Sequence, residues 1–211
     1  MNSSVESIVP FNQFIDSAQG DHQHGNRGDW LSEIKEKGRI EFYKLGWPSP
    51  KFESWRYTNL NKLAKTQFFL PKDIELAELP YQDILPVDAP KIALVNGKFN
   101  RELSDLSTIG EGILVNNFQD MSDEQRALFS LENPTTLPKE GLPVKALNDA
   151  ILSDVLFIEI RPGWQSDVPL HIVSIGCGDH VGFSSKIFVS AGENCSLDIV
   201  ESHAGEYGST Y

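Results

Sequence analysis

Two cysteines, Cys177 and Cys195, and five histidines, His22, His24, His171, His180 and His203, are the residues of this chain best suited to bind a metal or attack an electrophile. A structural zinc site wants Cys or His in pairs two to four residues apart. The two cysteines stand too far apart for that pattern and have no nucleophile motif around them. They read as ordinary packed thiols. His22 and His24 form a His-x-His pair inside a polar, aperiodic loop over residues 21–26, where solvation is the expected state. Asp179-His180, with Asp167 nearby, places a carboxylate beside an imidazole, but no paired-carboxylate spacing recurs, so the dipeptide reads as a polar turn between strands. There is no G-x-S-x-G and no glycine-rich phosphate cradle. No catalytic, cofactor-binding or metal-ligating residue is assigned from these patterns, and the chain is not expected to be an enzyme.

Charge narrows the partners. Thirty acidic residues against 18 basic ones give a formal charge of −12, which disfavours nucleic acid and anionic membrane as partners. No apolar run reaches membrane-spanning length, and the first residues lack a basic stretch followed by a long apolar one. A cytoplasmic location is expected, in which a disulfide between Cys177 and Cys195 is improbable.

The elements that would position these residues fall into two kinds. Between Val155 and Ser202 four apolar runs, 155–160, 168–175, 186–191 and 196–201, are separated by Gly, Pro, Asp and Asn and have strand length. Two parts of this stretch resemble each other. Gly163 and Gly192 lie 29 positions apart, while the Ile-Val pairs at 172–173 and 199–200 lie 27 apart. A loose repeat of this kind fits coils of a β-solenoid or, equally, a β-sandwich with similar turns.

Upstream the pattern is mostly helical. Phe11, Phe14, Ile15 and Ala18 make one apolar stripe over residues 10–19. A second helix, capped by Asp29, runs to about Leu45 and ends at Gly46 and Pro48, with Trp30, Leu31, Ile34, Phe42 and Leu45 near one face. Residues 45–63 are dense in aromatics. They read first as a clasp tying helices together, with a recognition surface as the alternative, and Thr58 is a candidate cap for a short helix through Lys65. Four prolines make residues 70–90 a linker. Asn96-Gly97 between two β-prone runs predicts a type I′ hairpin, and 113–115 a further strand. Ser122 and Gln125 form a capping box for a helix ending near Leu131, and Val144, Leu147, Ile151 and Leu152 stripe a helix before the β-rich segment.

The run Pro48-Ser49-Pro50-Lys51-Phe52-Glu53-Ser54-Trp55-Arg56-Tyr57-Thr58-Asn59-Leu60 resembles the "P-x-x-K-x-E-x-W-R-Y-T-x-L" stretch of the SufD family, the scaffold subunit of the SUF iron–sulfur assembly system. Ala146-Leu147-Asn148-Asp149-Ala150 and Ser190-Ala191-Gly192-Glu193-Asn194, then 199–202, are similar to two further stretches of that family in the same order. The resemblance runs from about Trp30 to Tyr211. It implies an α+β fold, an N-terminal helical region followed by the first coils of a right-handed parallel β-helix. Residues 1–90 would be the helical region with its Pro-rich linker, 91–153 a small mixed segment with the hairpin and helices, and 154–211 the start of the β-helix. It also implies a non-enzymatic scaffold acting with SufB and with the ATPase SufC, which would handle ATP, and it leaves room for a homodimer. The iron–sulfur cluster would form at an interface of the full complex, with no cofactor bound by this chain. Family members are longer than 211 residues, so the chain is expected to be an N-terminal portion, ending where another strand should begin. For that reason no ligand role passes to Cys177, Cys195, His171, His180 or His203. The rival readings are a β-helix carbohydrate-active enzyme, an acyltransferase, for which hexapeptide repeats are missing, and an unrelated β-solenoid binding module.

Overall fold

A computed structural model describes residues 9–19, 28–72, 74, 89–131 and 137–205. His22, His24 and most of the 70–90 linker lie outside the described residues. The fold is α+β. The chain forms two compact units, one built from residues 1–70 and 132–152, the other from 71–131 and 153–211.

The first unit is helical. Helix α1 (Val9–Ser17) buries Phe11, Phe14 and Ile15, with Ala18 just beyond its end, as the apolar stripe predicts. Helix α2 (Gly28–Leu45) begins two residues earlier than a cap at Asp29 would place it, so Asp29 lies in its first turn rather than before it. Its buried contacts come from Leu31 and Phe42, while Leu45 is largely exposed. A short helix α3 (Asn61–Lys65) starts three residues after Thr58. Thr58 is not its cap: the Thr58 N–H donates to Trp55 O in the preceding 3₁₀ turn, and the Asn59 side chain accepts from the Asn61 N–H at 2.9 Å. Helix α5 (Leu142–Ala150, numbered after α4 of the other unit) completes the unit. It turns Pro143, Ala146, Leu147 and Ala150 inward, whereas Val144 is exposed and Leu152 already belongs to a strand, a correction to the expected stripe.

Gly38 explains how closely α2 and α5 approach. A β-carbon at that position would stand 2.5 Å from the Asp149 Cβ and from the Ala150 backbone nitrogen. Only hydrogen fits there. Around this crossing Phe11, Phe14, Phe42, Ala146, Leu147 and Ala150 form one core. Trp47 closes it edge-on against Phe11 and Phe42, with ring centroids 4.8 and 5.3 Å away. Such edge-to-face pairs add about 0.5–1.5 kcal/mol each beyond burial.

The second unit holds two sheets. Strands β1 (Lys91–Val95) and β2 (Lys98–Asp105) form the predicted hairpin, and Asn96 and Gly97 have φ of 48° and 78°, the positive values a type I′ turn requires. Strand β3 (Ile113–Asn117) and helix α4 (Asp123–Leu131) follow. The capping box at α4 is complete: Gln125 N–H donates to Ser122 Oγ at 3.2 Å, and Ser122 N–H to Gln125 Oε1 at 3.1 Å. Strands β4 (Leu152–Ile160), β5 (Leu170–Gly176), β6 (Ser184–Ala191) and β7 (Ile199–Gly205) complete the unit. The last strand starts three residues later than its apolar run suggests, because residues 192–198 are taken up by a turn.

One sheet has the order β2-β1-β5-β7 and the other β3-β4-β6. From β4 onward the chain therefore alternates between the two. Strand β5 runs parallel to both β1 and β7. Ile92, Leu94, Leu170 and Ile172 meet Val115, Leu156, Ile158 and Ile160 in one core shared by the sheets. The opposite face of β1 and β5 contributes Ala93, Val95, Val173, Ile175 and Cys177 to a smaller cluster.

The register corrects the apparent repeat. Leu170 pairs with Ile199, 29 positions on, so Ile172 faces Glu201 rather than Ile199. The turns stack with a similar offset. Gly163 N–H donates to Glu193 O at 2.8 Å, Ser196 N–H to Trp164 O at 2.9 Å, and Leu170 N–H to Asp198 O at 2.8 Å. Gly192 lies directly on Pro162, where a β-carbon would come within 2.5 Å of the proline nitrogen.

Candidate functional site

Among the described residues, those able to do chemistry are scattered by the fold rather than gathered. Cys177 is buried just past the end of β5, and Cys195 is half-buried in the turn before β7; neither is in a disulfide. His171 is buried in β5, and its Nδ1 has no hydrogen-bond partner among the described residues. His203 lies on β7 in register with Ser174, while His171 is in register with Val200, so the two imidazoles emerge from opposite faces of one sheet. His203 Nε2 stands 3.4 Å from Glu201 Oε1 on the exposed edge strand. His180 has φ of 53° in the turn after β5 and contacts the neighbouring Asp179 carboxylate at 2.8 Å. That geometry is the expected polar turn. Asp167 is exposed in the turn before β5. Among the described residues no three His, Cys, Asp or Glu side chains converge as a metal site would require.

Asn96 does more than its turn role suggested. Its side chain is buried, accepts from the Cys177 N–H at 2.8 Å and donates to Cys177 O at 3.1 Å. The hairpin turn thus reads the backbone at the end of β5 in both directions. Nothing local in the sequence announces this, because the partner lies 81 positions away.

Displaced ionisation is found on α2, with Asp16 of α1 as a contributing partner. Arg39 makes a two-pronged contact with Glu36, at 2.8 and 2.7 Å, which holds the Glu36 carboxyl below its usual range and the guanidinium above its own. Burial, and then the hydrogen bond it donates to Asp16 Oδ1 at 2.8 Å, push the Tyr43 hydroxyl up. At the end of β2, Asp105 is lowered by the hydroxyl and backbone N–H of Ser107. Of these groups, Tyr43 and Arg39 tie α2 to Asp16 of α1.

The aromatic segment after α2 divides into two sets. Trp47 packs in the helical core as a clasp would, and Trp55 Nε1 donates to Glu140 O at 2.8 Å. Phe52, Arg56 and Tyr57 face outward instead, Tyr57 being 87% exposed. The clasp accounts for the tryptophans; the outward set forms a surface.

No helix among the described residues is long and apolar enough to cross a membrane. No curated protein matches the chain at a significant level. Residues 12–172, well over half of the 211, match the family model described as the SufBD protein N-terminal region. The matched span contains the helical unit's core apart from Phe11, the hairpin, β3, β4 and the first residues of β5. The chain therefore belongs to the SufB/SufD family, which ties it to SUF iron–sulfur cluster assembly.

Proposed function

We propose that this protein is a SufD-type scaffold of the SUF system, acting without turnover of its own in a complex with SufB and the ATPase SufC. The observation that carries the reading is the family match over residues 12–172. The 48–60 motif favours the SufD branch. The iron–sulfur cluster is the cargo of the assembled complex, built at an interface rather than on the scattered Cys and His side chains of this chain.

On the same reading, β4 to β7 are the first coils of a right-handed parallel β-helix. Strand alternation between two sheets, the 29-position offset of β5 and β7 and the stacked turns support it. A sandwich of hairpins would have made the consecutive strands β4, β5, β6 and β7 neighbours, and they are not.

The test is co-expression with SufB and SufC followed by size-exclusion chromatography. A stable assembly containing all three chains, with ATP hydrolysis only when SufC is present, is the expected result. Elution of this protein apart from both others, or catalytic turnover by it alone, overturns the proposal.

A further inference from the structure

The charge of −12 is not spread over the molecule. The β-rich unit (71–131 and 153–211) holds 19 acidic and 7 basic residues, a net of −12, while the helical unit (1–70 and 132–152) holds 11 of each, a net of zero. Within the helical unit one stretch is cationic. Lys51, Arg56, Lys62 and Lys65 are answered between 51 and 65 by a single acid, Glu53, and Lys44 just before them pairs with Glu41 at 3.8 Å.

All five cations are exposed. Helix α3 turns Ala64 and Leu63 inward and leaves Lys62 and Lys65 outward. Before it, residues 49–58 are wound into consecutive tight turns, Phe52 N–H to Ser49 O, Trp55 N–H to Phe52 O and Thr58 N–H to Trp55 O, so Lys51, Phe52, Arg56 and Tyr57 lie within a few residues of one another on a compact scaffold. Trp55, held by its bond to Glu140 O, fixes that scaffold from beneath. Phe52 is 48% exposed, Phe69 54% and Tyr57 87%, and the Arg56 guanidinium lies over the Tyr57 ring at 5.4 Å from its centroid.

Large rigid aromatics beside Arg and Lys, on an ordered scaffold, are the composition of a protein-binding surface rather than of a solvated one. Its charge calls for acidic groups on the other side. Glu53, 86% exposed in the middle of the set and 3.8 Å from the Arg56 guanidinium, gives the surface a carboxylate of its own, which decides between acidic ligands. A nucleic-acid backbone or an anionic lipid surface repeats its anions and offers Glu53 few donors. A polypeptide can set carboxylates against Lys51 and Arg56, apolar side chains against Phe52 and Tyr57, and a backbone N–H against Glu53.

We propose that the Lys51–Lys65 surface docks a polypeptide partner whose binding segment mixes acidic and apolar residues. The inference does not depend on the scaffold reading, and it assigns the surface to no subunit.

The experiment uses the whole chain and a fluorescein-labelled peptide of repeated Glu-Phe-Asp-Leu, read by fluorescence anisotropy. The expected result is saturable binding that weakens about tenfold or more in the Lys51→Glu, Arg56→Glu double variant and severalfold in Tyr57→Ser. Both variants change only exposed side chains, and unchanged thermal melting shows that they are folded. Polyglutamate, oligothymidylate and phosphatidylserine vesicles are run alongside. Weaker binding of polyglutamate supports the apolar share of the recognition. No saturable binding of the mixed peptide, binding insensitive to both variants, or tighter binding of the oligonucleotide or the vesicles overturns the proposal.

Discussion

Asn96 joins two stretches of backbone 81 positions apart. It occupies a left-handed backbone position at φ 48° and joins both polar groups of its side chain to the Cys177 backbone. Substitution by alanine removes both bonds in a buried setting and leaves a side chain that prefers negative φ. The expected cost is about 2–4 kcal/mol, combining lost buried hydrogen bonds with left-handed strain. Asn96→Gly loses the same bonds but not the backbone tolerance, so it should be less destabilising than Asn96→Ala by about 1 kcal/mol. Urea unfolding of the pair checks this. Equal stability of the two variants would show that the turn geometry contributes nothing. Tyr43 makes a second residue-scale case, with a sign set by its ionisation. Its hydroxyl is raised above the ordinary tyrosine range of about 10 by burial and by donation to Asp16. The folded state thus holds the proton more tightly than the unfolded chain. That contribution is fully present below the unfolded value and is lost as pH rises through the folded one. Tyr43→Phe should therefore lose stability at neutral pH yet show a shallower fall above pH of about 10. Parallel alkaline unfolding curves for both proteins would contradict it.

At the scale of elements, two glycines mark where backbones touch. Gly38 lies where α2 meets α5, and Gly192 where the turn after β6 rests on Pro162. In both cases the obstructing atoms include backbone, which cannot swing aside as a long side chain can. Gly192→Ala should cost about 1–3 kcal/mol by overpacking, and Gly38→Ala a similar amount or more. Thermal melting of each variant tests this, and an unchanged midpoint for Gly192→Ala would show that the stacked turns are not in tight contact. How far these elements could be read in advance depended on whether their signal was local. The stripe of α1, the Asn-Gly hairpin and the Ser122–Gln125 capping box are each written within a few residues, and each is present. The start of α3 was obscured because Thr58, an acceptable cap, is instead consumed by the 3₁₀ turn before it. The inward face of α5 was misread because Val144 and Leu152 fit a helical stripe as well as Pro143 and Ala146 do, and only the close approach to Gly38 selects the small residues. The sequence offers two spacings, 29 between Gly163 and Gly192 and 27 between the Ile-Val pairs, and the glycine spacing is the one that the ladder keeps. At the candidate site the polar turn at Asp179-His180 was legible. The outward turn of Phe52 and Tyr57 was not, since sequence shows that aromatics cluster but not which of them the core has room for.

Over the whole molecule the charge is segregated, and that has a consequence for stability. The unit formed by 71–131 and 153–211 carries 19 acidic residues against 7 basic ones. Some of these acids are structurally engaged: Asp154 accepts from the N–H groups of Phe99, Phe118 and Val155, and Glu159 accepts from Gln125 Nε2. Many others, among them Glu102, Glu111, Asp167, Glu193 and Asp198, are exposed. Like charges crowded on one small unit repel one another, and folding brings them closer than the unfolded chain does. Salt shortens the range of that repulsion to about 8 Å at physiological ionic strength and to about 3 Å at 1 M. It weakens the surface pairs too, such as Arg101–Asp120 at 3.3 Å, but exposed pairs of this kind are worth only about 0–1 kcal/mol. Relief of repulsion should therefore win. Raising sodium chloride from a few millimolar to physiological strength should stabilise the fold by about 1 kcal/mol, seen as a rise of about 2–4 °C in the melting midpoint. Chloride is the salt to use, because sulfate strengthens apolar burial by a separate route. A midpoint that falls with sodium chloride would mean that the ion pairs outweigh the repulsion.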